Sequence, residues 1–316
     1  YLAEAVVTEE MVRCGSGGVS AAFGAHKDLG LLYVANFGSS EQHERWLTPG
    51  IEGRLVGALG VTEPDAGSDV AAIKTTAVRD GNDWIINGEK LFITNGAWAD
   101  FVVVAAKTEG GPDAGHGGIT LFVVESGAEG FTQRRMQMLG WRTSQTGDLS
   151  FADVRVPDAN RLGAQGSGFY AIMQNFAWER LSMALGQVAG AQRTYEAAKE
   201  YALERKAFDR PIGKFQVWRH RFADMATRIE AGRALTYGAL RRYVDGENPI
   251  REVSMAKLYT SEVAFKVADE AVQIHGGYGY MMEFPIQRAW RDSRLGPIGG
   301  GTSQIMREII GKTYGL

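Results

Sequence analysis

The middle third of this chain, residues 58–163, breaks into short segments rich in β-branched and aromatic residues. The segments are separated by Gly, Asn and Asp, and they read DWIINGEKLFIT, FVVVAAKT, ITLFVVES and FTQRRMQM. Side chains of this kind suit a pleated, half-buried surface, and the intervening residues suit turns. The region therefore predicts an antiparallel sheet, arranged as a barrel or a sandwich.

Residues 1–57 carry a helical pattern instead. Apolar residues recur at helical spacing from Leu2 to Val12, and SSEQHERWLTPGIEG predicts a capped short helix that ends at Pro49-Gly50. The chain opens in mid-pattern, with neither an initiator Met nor the architecture of a signal peptide. We therefore expect a helical N-terminal domain whose beginning is absent.

Residues 164–316 predict a bundle of helices. After a candidate N-cap at Ser167, apolar residues recur every three or four positions as far as Val188. Three more helices are expected, at about 215–244, at about 251–274 with a stop at Gly276-Gly277, and from Ser303 onward. This order predicts an α+β protein with an incomplete helical domain (1–57), a middle β domain (58–163) and a C-terminal helical bundle (164–316).

Charge and cysteine content argue against several classes of protein. The chain has 34 Lys and Arg against 37 Asp and Glu, a balance that leaves no basic footprint for nucleic acid or anionic lipid. No apolar run approaches the roughly 20 residues of a membrane-spanning helix. A single cysteine, Cys14, excludes an internal disulfide framework and fits a reducing compartment. The five histidines lack metal-ligand spacing, so we expect no metal, no nucleic acid and no membrane.

Four stretches have the composition of ligand-binding turns: LGVTEPDAGSD, INGEKLFITNG, QIHGGYGY and GGGTSQI. The first aims backbone amides and hydroxyls at one point, which suits a polar cofactor, although composition equally allows an Asx-type turn. The second contains two Asn-Gly dipeptides and predicts a hairpin. The last two lie at helix boundaries, where phosphates are favoured. None of the four has the glycine spacing of a Rossmann or P-loop site.

Taken in order, these motifs are far more specific. The series TEPDAGSD, NGEKLFITNG, GSGFYAIMQ, ERKAFDRPIGKFQ, QIHGGYGYMMEFP, RDSR and GTSQI resembles the acyl-CoA dehydrogenase family, and the similarity runs from Thr8 to the C-terminus. The resemblance implies a helical N-terminal domain, a middle β domain and a C-terminal four-helix bundle, with FAD bound between them. It also implies an oxidoreductase of fatty acid β-oxidation.

The resemblance implies FAD contacts along several stretches of the chain. The residues that match are Leu59, Val61, Thr62, Gly67, Ser68, Phe92, Ile93, Thr94, Arg205, Phe208, Phe215, Gln216, Gln273, Ile274, Gly276, Gly277, Thr302 and Gln304. The family often has Trp where this chain has Phe92. Asp209 stands where Gly is usual, and Asp tolerates a positive φ better than most residues. Because 273–277 would bind the FAD of a neighbouring subunit, the resemblance implies a homodimer or homotetramer.

The family removes the α proton of an acyl-CoA thioester with a carboxylate while the β hydride passes to FAD. Most members carry that Glu directly before the Gly-Thr of the last glycine-rich turn, where this chain has Gly300. Long-chain and isovaleryl-type members place it on the first bundle helix, within the dipeptide Glu-Arg, and Glu179 in FAWERLSM matches that position. Most helical Glu residues lie on a solvated face, but Glu179 lies beside an apolar stripe.

The presence of the Glu at position 179 and not at position 300 suggests a role for the glycines before Thr302. The Gly300 backbone N–H would donate to the thioester oxygen, and the missing side chain would leave room for the acyl chain. The resemblance further implies substrate contacts from Ser68, Arg180 and Gly301. The implied product is the trans-2-enoyl-CoA, with electrons passing to an electron-transfer flavoprotein. The expected compartment is the bacterial cytoplasm, or the mitochondrial matrix in a eukaryote. Two alternatives are an acyl-CoA oxidase or related flavoenzyme on the same fold, and a non-catalytic acyl-CoA-binding subunit.

Overall fold

The computed structural model describes residues 1–108 and 118–316, which form two compact units. One unit comprises 1–20, 139–141 and 177–316, and the other comprises 21–138 and 142–176. No helix of the described residues is long and apolar enough to cross a membrane.

The second unit is built on an eight-stranded sheet. Its strands are β1 (Gly57–Gly60), β2 (Thr76–Asp80), β3 (Asp83–Ile93), β4 (Phe101–Lys107), β5 (Ile119–Glu125), β6 (Phe131–Arg135), β7 (Gly147–Pro157) and β8 (Arg161–Leu162). They follow the order β6-β7-β3-β2-β4-β5-β8, and β1 pairs with β4. Most pairs are antiparallel as predicted, but β4 runs parallel to both β1 and β2, so the sheet is mixed.

Strand β4 divides the core of this unit in two. All seven of its residues are buried, and alternate side chains enter different clusters. Phe101, Val103 and Ala105 pack with helical residues such as Trp46, whereas the other face packs against aromatic residues of β3, β6 and β7. A strand with both faces covered reads as a continuous apolar run, which is why FVVVAAK shows no alternation.

The predicted hairpin at INGEKLFITNG is wrong. Asn87-Gly88 lies inside β3 at a register shift against β7, with Gly88 at φ 148°, and Asn95-Gly96 follows the end of that strand. The chain turns back earlier, at Gly81-Asn82 between β2 and β3. A dipeptide that favours a two-residue turn is equally able to form a bulge, and pairing with β7 selects the bulge here.

Short helices make up the first fifty residues. They are α1 (Leu2–Met11), α2 (Gly17–Gly24), α3 (Leu32–Phe37), α4 (Ser40–Gln42) and α5 (Thr48–Ile51), joined in part by π-helical turns at Ala25–Leu31 and His43–Leu47. The predicted cap is confirmed, since Ser39 and Gln42 form a capping box. The helix continues past Pro49 to Ile51, because a proline at the first turn needs no amide partner.

The first unit contains the helical bundle. Its elements are α6 (Gly168–Glu204), α7 (Gln216–Val244), α8 (Ile250–His275), α9 (Ile286–Ser293) and α10 (Ser303–Thr313), together with a small hairpin of β9 (Lys206–Ala207) and β10 (Arg210–Pro211). The start of α6 belongs to the other unit. Small side chains of α6 pack against Met225, Ile229 and the apolar face of α8. The predicted stop of α8 is confirmed, because Gly276 takes φ 58° at the C-cap.

Candidate active site

A carboxylate of α6 lies against the glycine-rich turn that precedes α10. Glu179 Oε1 is 3.7 Å from the point where a Cβ on Gly300 would stand. The two residues are 121 positions apart in the chain, and both belong to the first unit. A side chain attached at residue 300 would therefore begin close to the carboxylate of Glu179.

Two cations hold the carbonyl side of this turn. Arg180 Nε donates to the Gly300 carbonyl oxygen at 3.2 Å, and Lys257 Nζ donates to the carbonyls of Gly296 at 2.9 Å and Gly301 at 2.5 Å. Burial lowers the pKa of Arg180, and the Glu179 carboxylate opposes that effect. Burial also lowers the pKa of Lys257 to about 8, with a further lowering from Arg180 and an opposing effect from Glu179.

Three backbone amides at the end of the turn, unlike the carbonyls that the two cations bind, lack protein partners in the described part of the chain. Within the described residues, the backbone N–H groups of Gly300, Gly301 and Thr302 donate to no protein acceptor. Ser303 Oγ is likewise buried without a hydrogen-bond partner in that part of the chain. Buried polar groups are normally satisfied, so the unpartnered Ser303 hydroxyl, next to half-buried amides that lack a protein acceptor at a helix N-terminus, indicates a ligand with oxygen acceptors.

The space above Gly300 is not empty, contrary to the expectation of room for an acyl chain. The thioether of Met183 fills the direction in which a Cβ on Gly300 would point, and Gly300 itself takes φ 62°. Met183 lies one helical turn beyond Glu179, so the two side chains share one face of α6. An unbranched thioether can rotate away, and the volume is available only when it does.

This packing gives a prediction about moving the base. In the variant Glu179→Gln/Gly300→Glu, we expect turnover to stay within about tenfold of Glu179→Gln, because the positive φ costs roughly 1–2 kcal/mol and Met183 blocks the new side chain. Adding Met183→Ala should restore measurable turnover. Steady-state rates of the three variants check this, and full recovery without Met183→Ala would contradict it.

The turn at residues 59–69 belongs to the other unit and is held by a buried ion pair. Lys90 Nζ of β3 donates to Glu63 Oε1 at 2.7 Å and to the Val61 carbonyl at 3.2 Å. Glu63 also accepts from the backbone N–H of Lys74 and Thr75. Both members of the pair are almost fully buried.

Burial and mutual attraction both shift the pKa values of Lys90 and Glu63. Burial lowers the pKa of Lys90 to about 8, although Glu63 favours the charged form. Burial by itself would raise the pKa of Glu63, but the Lys90 ammonium and the hydrogen bonds outweigh it and hold that pKa below its usual value. The pair fixes the base of the turn, while Gly67 and Ser68 at its end are exposed.

A bulge in β3 presents Phe92 next to this turn. The register against β7 shifts between Lys90 and Ile93, and Phe92 takes φ 61° with 60% of the residue exposed. The Leu91 N–H donates to the Thr62 carbonyl at 2.8 Å, which ties the bulge to the turn. A positive φ at an exposed aromatic residue destabilises a plain sheet, and such strained residues are typical of binding sites. Ile93 is buried, and Thr94 follows the end of the strand.

The remaining predicted cofactor residues lie between α6 and α7, at the end of α8 and at the start of α10. Arg205, Phe208 and Gln216 are exposed, and the half-buried Phe215 contacts the guanidinium of Arg210 at 4.0 Å. Phe208 and Asp209 take φ of 51° and 61°, the pattern of a type I′ turn, so residue 209 does require a positive φ.

Residues 273–277 end α8, and the predicted contacts there differ in exposure. Gln273, Gly276 and Gly277 are exposed, whereas Ile274 is buried in the bundle core. The side chain of Ile274 is therefore not exposed to a ligand. In the last turn, Thr302 caps α10 by accepting from the Ile305 N–H, and Gln304 is exposed.

Metal ligands do not cluster in the described residues: no three His, Cys, Asp or Glu side chains there are placed to hold an ion. His116, one of the five histidines of the sequence, lies outside those residues.

Comparison with known proteins accounts for nearly the whole chain. Three family models match it: "Acyl-CoA dehydrogenase, N-terminal domain" over residues 1–54, "middle domain" over 58–154 and "C-terminal domain" over 166–315. The chain belongs to the acyl-CoA dehydrogenase family. The family and fold implied by the motif series are thereby confirmed.

Relatives and a solved structure agree with this assignment. The long-chain specific acyl-CoA dehydrogenase of Sus scrofa is 39% identical over 309 residues, which cover 98% of this chain and 71% of the relative. The isovaleryl-CoA dehydrogenase of Pongo abelii is 39% identical over 315 residues, covering 99% and 74%. A crystal structure of a probable acyl-CoA dehydrogenase from Mycobacterium abscessus is 45% identical with a TM-score of 0.95, covering 98% of this chain and 82% of that one.

Acyl-CoA dehydrogenases are FAD-dependent oxidoreductases of fatty acid β-oxidation, and the residues of this family member fit that cofactor. In one unit the exposed ring of Phe92 stands beside the turn at 59–69. In the other, Ser303 Oγ and the amides before α10 lack protein partners within the described residues. A Cβ at Gly67, Gly276 or Gly277 would meet only open space, so a ligand can approach the backbone there.

Sequence reasoning missed four residues that shape these sites: Lys257, Lys90, Glu63 and Met183. A signal existed for the first, since a Lys at a core-facing position of α8 is unusual. Lys90 and Glu63 stand inside quoted motifs, but nothing in those motifs indicates that the two pair. Met183 lies four residues after Glu179 and could have been placed on the same helical face.

Proposed function

We propose that this chain dehydrogenates an acyl-CoA thioester between its α and β carbons, yielding the trans-2-enoyl-CoA, with Glu179 as the base. The observation that carries the proposal is the distance of 3.7 Å between Glu179 Oε1 and the Cβ position of residue 300. The carboxylate, carried by α6, thus lies beside the turn position at which most family members carry their Glu.

The roles of the chain's own groups follow from their chemistry. Glu179 takes the α proton, and its charge is balanced by Arg180 and Lys257, which both interact with it electrostatically. The Gly300 N–H donates to the thioester oxygen, with Gly301 beside it, and so stabilises the negative charge that develops as the proton leaves. Bound FAD supplies the acceptor for the β hydride. Arg180, bonded to the Gly300 carbonyl, steadies the turn that carries these amides.

Further residues complete the proposed cofactor and substrate contacts. In one unit these are Leu59, Val61, Thr62, Gly67, Phe92, Ile93 and Thr94 for FAD, with Ser68 for both FAD and the CoA ester. In the other they are Arg205, Phe208, Phe215, Gln216, Thr302 and Gln304, while Gln273, Ile274, Gly276 and Gly277 would serve the FAD of a neighbouring subunit. We therefore propose a homodimer or homotetramer that passes electrons to an electron-transfer flavoprotein.

The substrate class follows from the position of the base. The names of the relatives specify long-chain and isovaleryl substrates, and the Glu-Arg dipeptide is the motif by which this chain resembles such members. We propose a long-chain or branched acyl-CoA as substrate. For the compartment we propose the cytoplasm of a bacterium, or the mitochondrial matrix if the organism is a eukaryote.

Anaerobic titration with acyl-CoA thioesters tests this function. We expect stoichiometric bleaching of the flavin absorption band with at least one long-chain or branched thioester, together with formation of enoyl-CoA. The reduced protein should then react slowly with dioxygen, whereas rapid reoxidation would identify an oxidase. Tight thioester binding without bleaching would identify a non-catalytic binding subunit and overturn the proposal.

A further inference from the structure

Lys257 makes contacts with the glycine-rich turn that the proposed chemistry does not explain. Its side chain is fully buried in α8, yet it carries an ammonium, which is costly to remove from water. The ammonium is bound by two carbonyls, those of Gly296 and Gly301, which lie 39 and 44 residues further along the chain.

These two carbonyls stand at the two ends of one turn. Residues 296–301 lie between α9 and the cap of α10, and their sequence GPIGGG contains four glycines. Glycine loses the most conformational entropy of any residue on folding, so ordering a segment of this composition costs more free energy than ordering an ordinary turn. Hydrogen bonds to a charged donor are stronger than those between neutral groups, and Lys257 supplies one at each end.

The bonded carbonyls also orient the amides. In a trans peptide the C=O and the following N–H point in opposite directions. Because Arg180 binds the Gly300 carbonyl, the Gly301 N–H is directed away from Arg180, and because Lys257 binds the Gly301 carbonyl, the Thr302 N–H is directed away from Lys257. They meet no protein acceptor in the described part of the chain. Arg180 polarises the Gly300–Gly301 peptide and Lys257 the Gly301–Thr302 peptide, which strengthens the N–H groups of Gly301 and Thr302 as donors. The Gly300 N–H belongs to the preceding peptide, so Lys257 acts on it only through the order of the turn.

We propose that Lys257 is a positioning residue, which closes the turn 296–301 and presents its backbone amides to the substrate. This proposal rests on the proposed function for what the amides bind, but the order of the turn is a separate property of the chain. Lys257 acts through the backbone and touches none of the reacting atoms.

The test compares Lys257→Met with Lys266→Met in the intact protein. Lys266 lies on the same helix but is exposed, so the same chemical change is made without touching the turn. In Lys257→Met we expect hydrogen exchange of the Ile298, Gly299 and Ser303 amides, which donate to carbonyls of Leu295 and Pro297, to rise at least about tenfold, since the turn loses both of its bonds to Lys257. The control should leave that exchange unchanged. This readout does not depend on turnover, so it stands even if the proposed function fails.

Two measurements on the FAD-loaded protein separate positioning from general stability. Flavin reduction by acyl-CoA should slow by about 10²-fold in Lys257→Met, as for loss of an oxyanion donor, while the Kd of acyl-CoA changes by less than about threefold. The ultraviolet band of bound enoyl-CoA, which shifts to the red when its carbonyl is polarised, should lose most of that shift. A second variant, Lys257→Gln, keeps a neutral donor and should lie between the wild type and Lys257→Met in all three readouts.

The outcomes are decisive. Increased exchange with slowed reduction and a lost red shift supports the proposal. Unchanged exchange or an unchanged red shift overturns it. The proposal is also overturned if Lys257→Met loses FAD, and if flavin reduction and acyl-CoA binding weaken in proportion to that loss. The role of Lys257 would then be purely structural. If Lys257→Met does not fold, Lys257→Gln decides by the same criteria.

Discussion

Replacing Glu179 with Gln is expected to slow turnover by about 10²–10⁴-fold, the loss typical of removing a general base. The amide keeps the size of the carboxylate but cannot accept the α proton. FAD content and the affinity for acyl-CoA should therefore survive. Turnover with an artificial electron acceptor measures the effect, and deuterium exchange at the α carbon of the thioester in D₂O measures proton removal alone.

The matched control is Glu200→Gln, because Glu200 is exposed on the same helix. It should retain the wild-type rate in both assays. Wild-type α-carbon exchange in Glu179→Gln would show that the base is another residue, and the proposed mechanism would fall with it.

Replacing Lys90 with Met is expected to lower the free energy of unfolding by about 3–5 kcal/mol, the usual cost of removing one partner from a buried ion pair. Glu63 would keep its backbone donors, Lys74 and Thr75, but would remain buried as an uncompensated charge. The turn at 59–69 would lose its support, so the proposed FAD affinity should fall as well. Chemical denaturation gives the stability, and the bound flavin per chain gives the second effect.

Acid pH supplies an independent check on the same pair. In the wild type the pKa of Glu63 is held below its usual value, so its contribution is present above the unfolded pKa of about 4.5 and is lost as pH falls through the lower folded value. Without Lys90 this loss should shrink. The double variant Lys90→Met/Glu63→Gln should be more stable than Lys90→Met, since no lone charge remains. A wild-type stability for Lys90→Met would contradict the role assigned to the pair.

Much of the site could be predicted from sequence because its motifs are local. The glycine-rich turn, the helix that begins at Ser303 and the Glu-Arg dipeptide on α6 each depend on short-range patterns, and the structure places all three as expected. The positive φ at Asp209 likewise follows from a turn of fixed length between two short strands. β-Branched and aromatic segments between turn residues, together with helical periodicity elsewhere, then suffice to separate the sheet region from the helices.

Tertiary structure alone decided the features that depend on distant partners. Lys257 finds backbone carbonyls 39 and 44 residues away, and a carbonyl leaves no trace in a sequence because every residue carries one. Asn87-Gly88 forms a bulge and not a hairpin because β7 pairs across it, a choice that local propensity leaves open. Met183 fills the space above Gly300 because α6 passes that turn, so the free volume depended on packing. The residue types and their local geometry were thus determined by the sequence itself, while long-range pairing, register and free volume were settled only when the chain was packed.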